Sequence, residues 1–414
     1  ASLAVGATIA AFTKFDRKHY FYPDLPKNYQ ISQYDKPLAT EGTLEIEVEG
    51  RRRTVGIQRL HLEEDAGKMI HDRHLSKSCV DLNRTGVPLL EIVSKPEIYS
   101  SAEAVAYLQR MRETMRAVGI SECNMEEGSL RCDVNLSLRP AGTKGLGTKV
   151  EVKNLNSFKS VEHALEIEIE RIAEVLESGG RVEQETRLYD AARGITASMR
   201  SKESAHDYRY FPEPDLPGFR IPRSWVDEVR GELPELPDAF RKRLVETLGL
   251  TDYEADVLAR DRALAVYFDE TVAAGAPAKA AANWILNDIQ KVLKERGETP
   301  EKFPVRPKAL AALLALAAQE GLEVALARRV FEEMLATGAD AAHAKAKIGI
   351  AGAGDEGAIR AIAEQAIAAA PKAVADFKSG KTSAIQAIVG QAMKIAKGKV
   401  SPQKAREAIE GLLK

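Results

Sequence analysis

One change of rhythm constrains this sequence most. Up to about residue 235, apolar residues recur at every second position in several stretches. Beyond it they recur at helical spacing in an increasingly alanine-rich chain. The 42–50 stretch, GTLEIEVEG, sets Leu44, Ile46 and Val48 against Thr43, Glu45, Glu47 and Glu49, which predicts a half-buried strand. In 130–138, LRCDVNLSL, Leu130, Cys132, Val134, Leu136 and Leu138 share one face, and Arg131, Asp133, Asn135 and Ser137 share the other. A glycine-rich loop follows, and then Val150 and Val152 alternate with Lys149, Glu151 and Lys153. This predicts a wide hairpin with one charged face. Two helices interrupt the strands, one from a Ser100/Glu103 capping box to Gly119, the other from Ser157 to Gly179 and Gly180. The prolines of the aromatic 206–222 stretch forbid a continuous helix there, which predicts an ordered connection.

In the second half, Thr251 and Glu254 fit another capping box, and Pro277 and Gly297 bracket a further helix. From RPKALAALLALAAQ onward the chain reads as helical almost to Lys414, with a break at GIAGAGDEG. The expected fold class is α+β: a mixed antiparallel-sheet cradle domain at 1–235, an all-α linker domain at 236–298 and an all-α tail domain at 299–414. The opening ASLAVGATIAAF reads as part of a helix without an N-cap, so the sequence is expected to begin inside an element.

A chain of 414 residues is too long for one ordinary core. With 44% hydrophobic and 29% charged residues it has a globular balance. No apolar run approaches the roughly 20 residues needed to span a bilayer, and no signal peptide is visible. Cys79, Cys123 and Cys132 are too few and scattered for a disulfide framework and lack zinc-ligand spacing, which points to a reducing cytoplasm. The net charge of −2 means that any nucleic-acid surface must be a local patch.

Carboxylates supply the candidate chemistry. In DLNRTGVPLLEIV, residues 81–93, Glu91 stands inside the apolar run Leu89, Leu90, Ile92, Val93. A carboxylate there needs compensation. Either Glu91 is a strand residue paired with Arg84, or it shares a divalent cation with Glu64. The latter follows Glu63 in RLHLEEDAGKMIH, residues 59–71, which is otherwise an acidic turn. NMEEGSLRCD, residues 124–133, adds Arg131 and Asp133 to a charge run that equally suits a solvated face. Residues 14–35 interleave Lys14, Arg17 and Lys18 with Tyr20, Phe21, Tyr22 and Tyr29, a pattern that holds phosphates and stacks bases, or else closes a rim over a core. Residues 378–406 carry Lys378, Lys381, Lys394, Lys397, Lys399, Lys404 and Arg406 without one acid. Seven phosphate contacts on a duplex would give a log–log salt slope of at most about −6; the alternative is a surface that serves solubility. GTKGLGTK and SGKTS each fall short of a phosphate loop, and no G-x-S-x-G elbow or strong Cys/His nucleophile pattern occurs.

Taken together, DLNRTGVPLLEI, KFDRKHYFYPDLPKNYQISQYD, HLEEDAGK, NMEEGSLRCDVN, GTKVEVKNLNSF, QETRLYD, MRSKESAHDYRYFPEPDLP and VGQAMKIAKGKVSP resemble, in order, the B subunits of the bacterial tRNA-dependent amidotransferases. The resemblance runs from about residue 14 to the C-terminus. It implies ATP- and Mg2+-dependent phosphorylation of the side-chain carboxylate of Glu-tRNA(Gln) or Asp-tRNA(Asn). Amidation follows, by ammonia from a partner amidase, the A subunit of a heterotrimer that also holds a small C subunit. The resemblance further implies Glu64 and Glu91 as metal ligands, Lys18 as a basic group at the same site, Arg84 at the nucleotide, and Glu63, Asp81, Arg131 and Asp133 as neighbours. The tail residues Lys378, Lys381, Lys394, Lys397 and Lys399 would then meet tRNA. The family's opening strand with a Glu-Val-His motif, and the cysteine cluster of some members, do not occur here. A non-catalytic tRNA-binding scaffold is the alternative that this difference suggests. An archaeal paralogue confined to Glu-tRNA(Gln) would carry a synthetase-like insertion, which is not seen.

Overall fold

The alternating stretches form strands and the 3.6-period stretches form helices. The computed structural model describes residues 1–72, 77–199, 208–350, 356–396 and 400–413. It divides into two compact units, Ala1–Pro237 and Asp238–Lys414.

The first unit is built on an antiparallel sheet of β1 (Thr8–Ile9), β5 (Ala39–Val48), β6 (Arg51–Glu64) and β9 (Pro88–Ser94), in the order β1-β5-β6-β9. Leu44, Ile46, Val55, Ile57 and Leu60 bury one face against Tyr107, Met111 and Met115 of helix α1 (Ser101–Ala117). Leu90 and Ile92 of β9 pack against that same core. The pairing register shifts between Ile57 and Arg59 and is then regular: Leu60 opposes Ile92, His61 opposes Glu91, and Leu62 opposes Leu90. Between β1 and β5 lie three short strands, β2 (Phe12–Thr13), β3 (Asp16–His19) and β4 (Tyr29–Ser32). The hairpin of β7 (Lys68–Asp72) and β8 (Lys77–Asp81) follows β6. Gly67 precedes it at a close crossing. A Cβ there would lie 2.9 Å from the Asp81 carbonyl oxygen and 3.0 Å from that of Asp24, so only glycine lets the three segments meet.

A second sheet orders β10 (Val134–Leu136), β11 (Val150–Lys153), β12 (Glu185–Asp190) and β13 (Ile195–Ser198) side by side. The predicted hairpin is present, with Val134 opposite Val152, although its first strand is only three residues long. β11 and β12 run parallel and are joined through α2 (Phe158–Glu177). From α2, Glu168 is fully buried, accepts from Arg171 at 2.7 Å and from Thr196, and pairs with Arg187 at 2.8 Å. The buried carboxylate is thus compensated from helix and sheet alike.

Residues 206–222 are more than a connection. Their described part forms β14 (Phe211–Pro212), paired with β3, and β15 (Phe219–Arg220), paired with β2. α3 (Arg223–Gly231) follows. The first twelve residues are not helical. They form a turn and then β1, with Gly6 at φ 64° and Val5 and Ala7 buried against β5. Pairing with an existing sheet outweighs the weak preference of a short alanine-containing run. At α1, Ser100 caps the Glu103 amide at 3.1 Å, but the Glu103 carboxylate turns to the Tyr99 amide at 2.8 Å and Arg53 at 2.7 Å, so the box is half formed.

The second unit is helical. α4 (Pro237–Glu246) to α11 (Ala341–Ile348) share one continuous buried cluster from Phe240 to Ile350, which runs across position 298. Within it α5 (Asp252–Ala259) has the complete Thr251/Glu254 capping box, and α8 (Gln290–Arg296) ends at Gly297 with φ 62°. A separate cluster, Ile359 to Ile409, is formed by α12 (Glu356–Ala369), α13 (Pro371–Lys378), α14 (Ile385–Ala396) and α15 (Pro402–Leu413). No helix among the described residues is long and apolar enough to cross a membrane.

Arg17 on β3 donates to both carboxylate oxygens of Glu213, 196 positions away, at 2.8 and 2.9 Å. These bonds hold the buried Glu213 carboxyl below its usual value of 4.5, against the opposing effect of burial. Because the folded pKa is the lower one, this stabilisation is complete above about pH 4.5 and fades as pH falls through the folded value. Urea midpoints of the first unit measured against pH should therefore drop on the acid side, and Glu213→Gln should flatten that limb while lowering the midpoint near neutrality.

Candidate active site

The face of β6 turned away from the apolar core carries Arg59, His61 and Glu63, by the two-residue period of a strand. The β9 register adds Glu91 directly opposite His61. Glu91 lies between Leu90 and Ile92, which are drawn into the core, so its own side chain must point the other way. One ligand atom each of His61, Glu63 and Glu91 lies within 4.8 Å of the others. His61 Nε2 stands 3.8 Å from Glu63 Oε2 and 3.8 Å from Glu91 Oε2. These distances are too long for hydrogen bonds. They suit three donors arranged about a shared cation. His61 and Glu63 are buried, and Glu91 is 44% exposed along its side chain, which opens the cluster on one side. Burial alone would push the Glu63 carboxyl up. His61, Lys18 and a 3.1 Å bond from Ser32 more than reverse that, and Glu63 titrates below its ordinary value.

Lys18 on β3 belongs to these surroundings. Its ammonium lies 4.8 Å from the centroid of the Tyr208 ring and 5.9 Å from that of Tyr20. Tyr210 stacks on Tyr34 at 4.2 Å, and His19 stacks on Phe211 at 4.8 Å. The basic and aromatic stretch at 14–35 therefore interleaves with 208–211. Burial, followed by the nearby acids Asp24 and Glu63, pushes the Tyr20 phenol up to about 12. Burial followed by Glu63 does the same for Tyr210. Both hydroxyls stay protonated beside the carboxylates. Phe21 and Tyr22, on the next loop, are exposed.

The other predicted residues are placed differently. Glu64 does not join Glu91. Its carboxylate pairs with Lys27 and accepts from the Ile31 amide at 2.8 Å, while its carbonyl accepts from Gln30 at 2.7 Å. Alternation aims Glu64 away from Glu63, and Glu64 is not among the ligand atoms of His61, Glu63 and Glu91 that lie within 4.8 Å of one another. Arg84 does not meet Glu91. It donates to the carbonyls of Ala66 at 2.9 Å and Gly67 at 3.0 Å, and so fastens the loop after β6. Asp81 holds the Asn83 amide at 3.0 Å in a local turn. Arg131 reaches Asp65 at 2.9 Å instead of sharing the hairpin's charged face. Asp133 remains on that face, 3.4 Å from Lys153, which also meets Glu151 at 3.5 Å.

In the tail, Lys378 ends α13, Lys394 lies in the last turn of α14, and Lys381 sits 3.3 Å from Asp376. Lys397 and Lys399 lie outside the described residues.

With the site in place, the relatives become informative. The family profile described as the GatB/GatE catalytic domain matches residues 1–227, and the profile described as the GatB domain matches residues 266–413. The chain belongs to the GatB family of amidotransferase subunits. The B subunit of the aspartyl/glutamyl-tRNA(Asn/Gln) amidotransferase of Carboxydothermus hydrogenoformans is 50% identical, over 100% of this chain and 86% of the relative. The protein of the same name in Caldicellulosiruptor saccharolyticus is 49% identical over 99% of this chain and 86% of its own length. That of Moorella thermoacetica is 50% identical over 97% and 85%. Within this GatB-family chain, His61 is the residue that sequence reasoning passed over. The signal was present, because the H-x-E spacing puts His61 and Glu63 on one strand face and leaves Glu64 on the other.

The contacts of Glu64 have a contribution to stability that can be measured. Glu64→Ala leaves the half-buried Ile31 amide and the Lys27 ammonium without their acceptor. Chemical denaturation should show a loss of about 1–3 kcal/mol. An unchanged midpoint would mean that these contacts contribute nothing.

Proposed function

We propose that this chain is the component that activates the substrate carboxylate in a glutamine-dependent aminoacyl-tRNA amidotransferase. The reaction would convert Glu-tRNA(Gln), Asp-tRNA(Asn) or both into the amides. The observation that carries the reading is the convergence of His61, Glu63 and Glu91. Two carboxylates and one imidazole form a donor set of the kind that takes a hard divalent ion while leaving positions open. The proposed ion is Mg2+, held by these three residues. When bound it would neutralise the charge that keeps ATP phosphates from approaching a carboxylate.

In that chemistry an oxygen of the substrate carboxylate bonds to the γ-phosphorus, and the bond from that phosphorus to the ADP oxygen breaks. Ammonia then adds to the acyl carbon, with phosphate and a proton released. Glu63 serves by staying ionised at neutral pH. Lys18 presents a positive charge to the same side of the cluster. Tyr20 and Tyr210 remain protonated donors and, with Tyr208, shield the pocket from bulk water. The chain has no nucleophile pattern for releasing ammonia from glutamine, which supports a partner amidase, and a small third chain would complete the assembly. The tail helices α12–α15 are assigned to tRNA, with Lys378, Lys381, Lys394, Lys397 and Lys399 as phosphate contacts.

In the assembled complex, Glu91→Gln and His61→Ala should each weaken Mn2+ binding at least about tenfold. They should also lower tRNA-stimulated ATP hydrolysis by about 100-fold or more, with tRNA affinity within about twofold of the natural chain. Retained turnover in either variant refutes the metal role. Replacing Lys378, Lys381 and Lys394 together by glutamine should weaken tRNA binding about tenfold and make its salt dependence shallower by roughly one to two units of slope. If both stay as they were, the patch serves only solubility.

A further inference from the structure

Among the described residues the guanidinium of Arg59 has no hydrogen-bond partner. Its Nε is fully buried and makes no hydrogen bond, and Arg59 forms no ion pair among the described residues. Among the described residues of this unit Arg112 also has a buried Nε without a hydrogen bond, but its guanidinium lies 5.7 Å from the centroid of the Phe158 ring. Arg17, Arg53, Arg84, Arg131 and Arg187 all meet carboxylates or carbonyls. Burying a cationic donor without an acceptor is destabilising. Arg59 has neither a ring nor an acceptor against it among the described residues, which leaves its guanidinium open to an anion.

Its position says which anion. Arg59 is two residues from His61 and four from Glu63 on one strand face, and no register shift falls between them. Glu63 and Glu91 push the Tyr210 hydroxyl up and Arg59 opposes them, which places that ring within the field of all three. Neither carboxylate turns to Arg59, although both carry the opposite charge. We infer that Arg59 is an anion-binding residue of the active site, whose fork of donors takes the transferring phosphoryl group of the nucleotide beside the cation held by His61, Glu63 and Glu91. The inference rests on the carboxylate-activating role proposed above and deepens it.

The physical logic is a division of labour. A phosphoryl group in transfer spreads its charge over three oxygens. A cation at the triad meets part of that charge, and a guanidinium approaching along the same strand face meets another part with two parallel bonds. Arg59 carries no proton in either direction. A lysine in its place would keep the charge and lose the fork.

The test uses the full complex with Arg59→Gln and Arg59→Lys. Mn2+ binding is read by electron paramagnetic resonance, ATPγS binding is measured with and without Mn2+, and melting temperature is recorded. The expected results for Arg59→Gln are Mn2+ affinity within about twofold, ATPγS affinity down about 10–100-fold, and a melting temperature unchanged or higher. Arg59→Lys should fall between Arg59→Gln and the natural chain. Unchanged ATPγS affinity in Arg59→Gln overturns the assignment. A melting temperature lowered by several degrees together with lost Mn2+ binding overturns it too, since Arg59 would then be structural. If the natural chain fails to bind Mn2+ while metal-free ATPγS binding still depends on Arg59, the cation reading falls and the assignment of Arg59 stands.

Discussion

The antiparallel register of β6 against β9 is the constraint on which the rest depends. It sets His61 opposite Glu91 because Leu60, Leu62, Leu90 and Ile92 occupy the positions between and beside them. Sliding the pair by one residue would turn the leucines outward and the carboxylate inward. Each buried aliphatic side chain stabilises the correct register by about 1.5–3 kcal/mol. Electrostatics pulls the other way. Two carboxylates about 4 Å apart repel by about 4 kcal/mol at an effective dielectric near 20. Several buried aliphatic residues outweigh one such repulsion, so the apolar face fixes an arrangement that the polar face would not adopt alone.

The same unit shows how its other acids are treated. Glu168 is enclosed by Arg171, Arg187 and Thr196. Asp65 is held by Arg131, and Glu213 by Arg17. Glu64, next to the cluster, takes Lys27 and a backbone amide. Beside these paired acids, Arg59 and His61 each keep a buried polar atom without a partner among the described residues, as do Asp24, Tyr107 and Arg112. His61 Nδ1 and Arg59 Nε are both buried without partners, on one strand face. Local violations of polar satisfaction mark places where function rather than stability sets the residue.

Much of the fold was legible in the sequence, and the site was legible in part. The 42–50 alternation became β5, the 130–153 pattern became a hairpin, and Ser157, Thr251 and Gly297 mark helix ends where their chemistry predicts. Periodicity failed where tertiary pairing decided. The opening residues were drawn into a turn and strand against β5, and 211–220 into strands against β2 and β3. Neither partner is near in sequence. The GIAGAGDEG break falls between the Phe240–Ile350 and Ile359–Ile409 clusters. Glu91 stands out in the sequence because a carboxylate in an apolar run demands a reason, and the register sets it opposite His61. Counting by twos from His61 puts Glu63 on the strand face that Glu91 shares and Glu64 on the other.

The pocket's remaining wall arrives from elsewhere. Lys18 stands on β3, and β3 is held between β4 and β14 in a small sheet of its own. Its outer strand is fixed by the two bonds from Arg17 to Glu213, and the rings of Tyr208 and Tyr210 come in on the residues just before that strand. The triad therefore belongs to a long sheet whose register is set by aliphatic burial, and the cation and rings beside it belong to a short sheet set by an ion pair. Two independent constraints meet at Glu63, which takes a hydrogen bond from Ser32 of β4 on one side and the proximity of His61 on the other. A carboxylate tied in this way to both sheets keeps its direction when either sheet moves slightly.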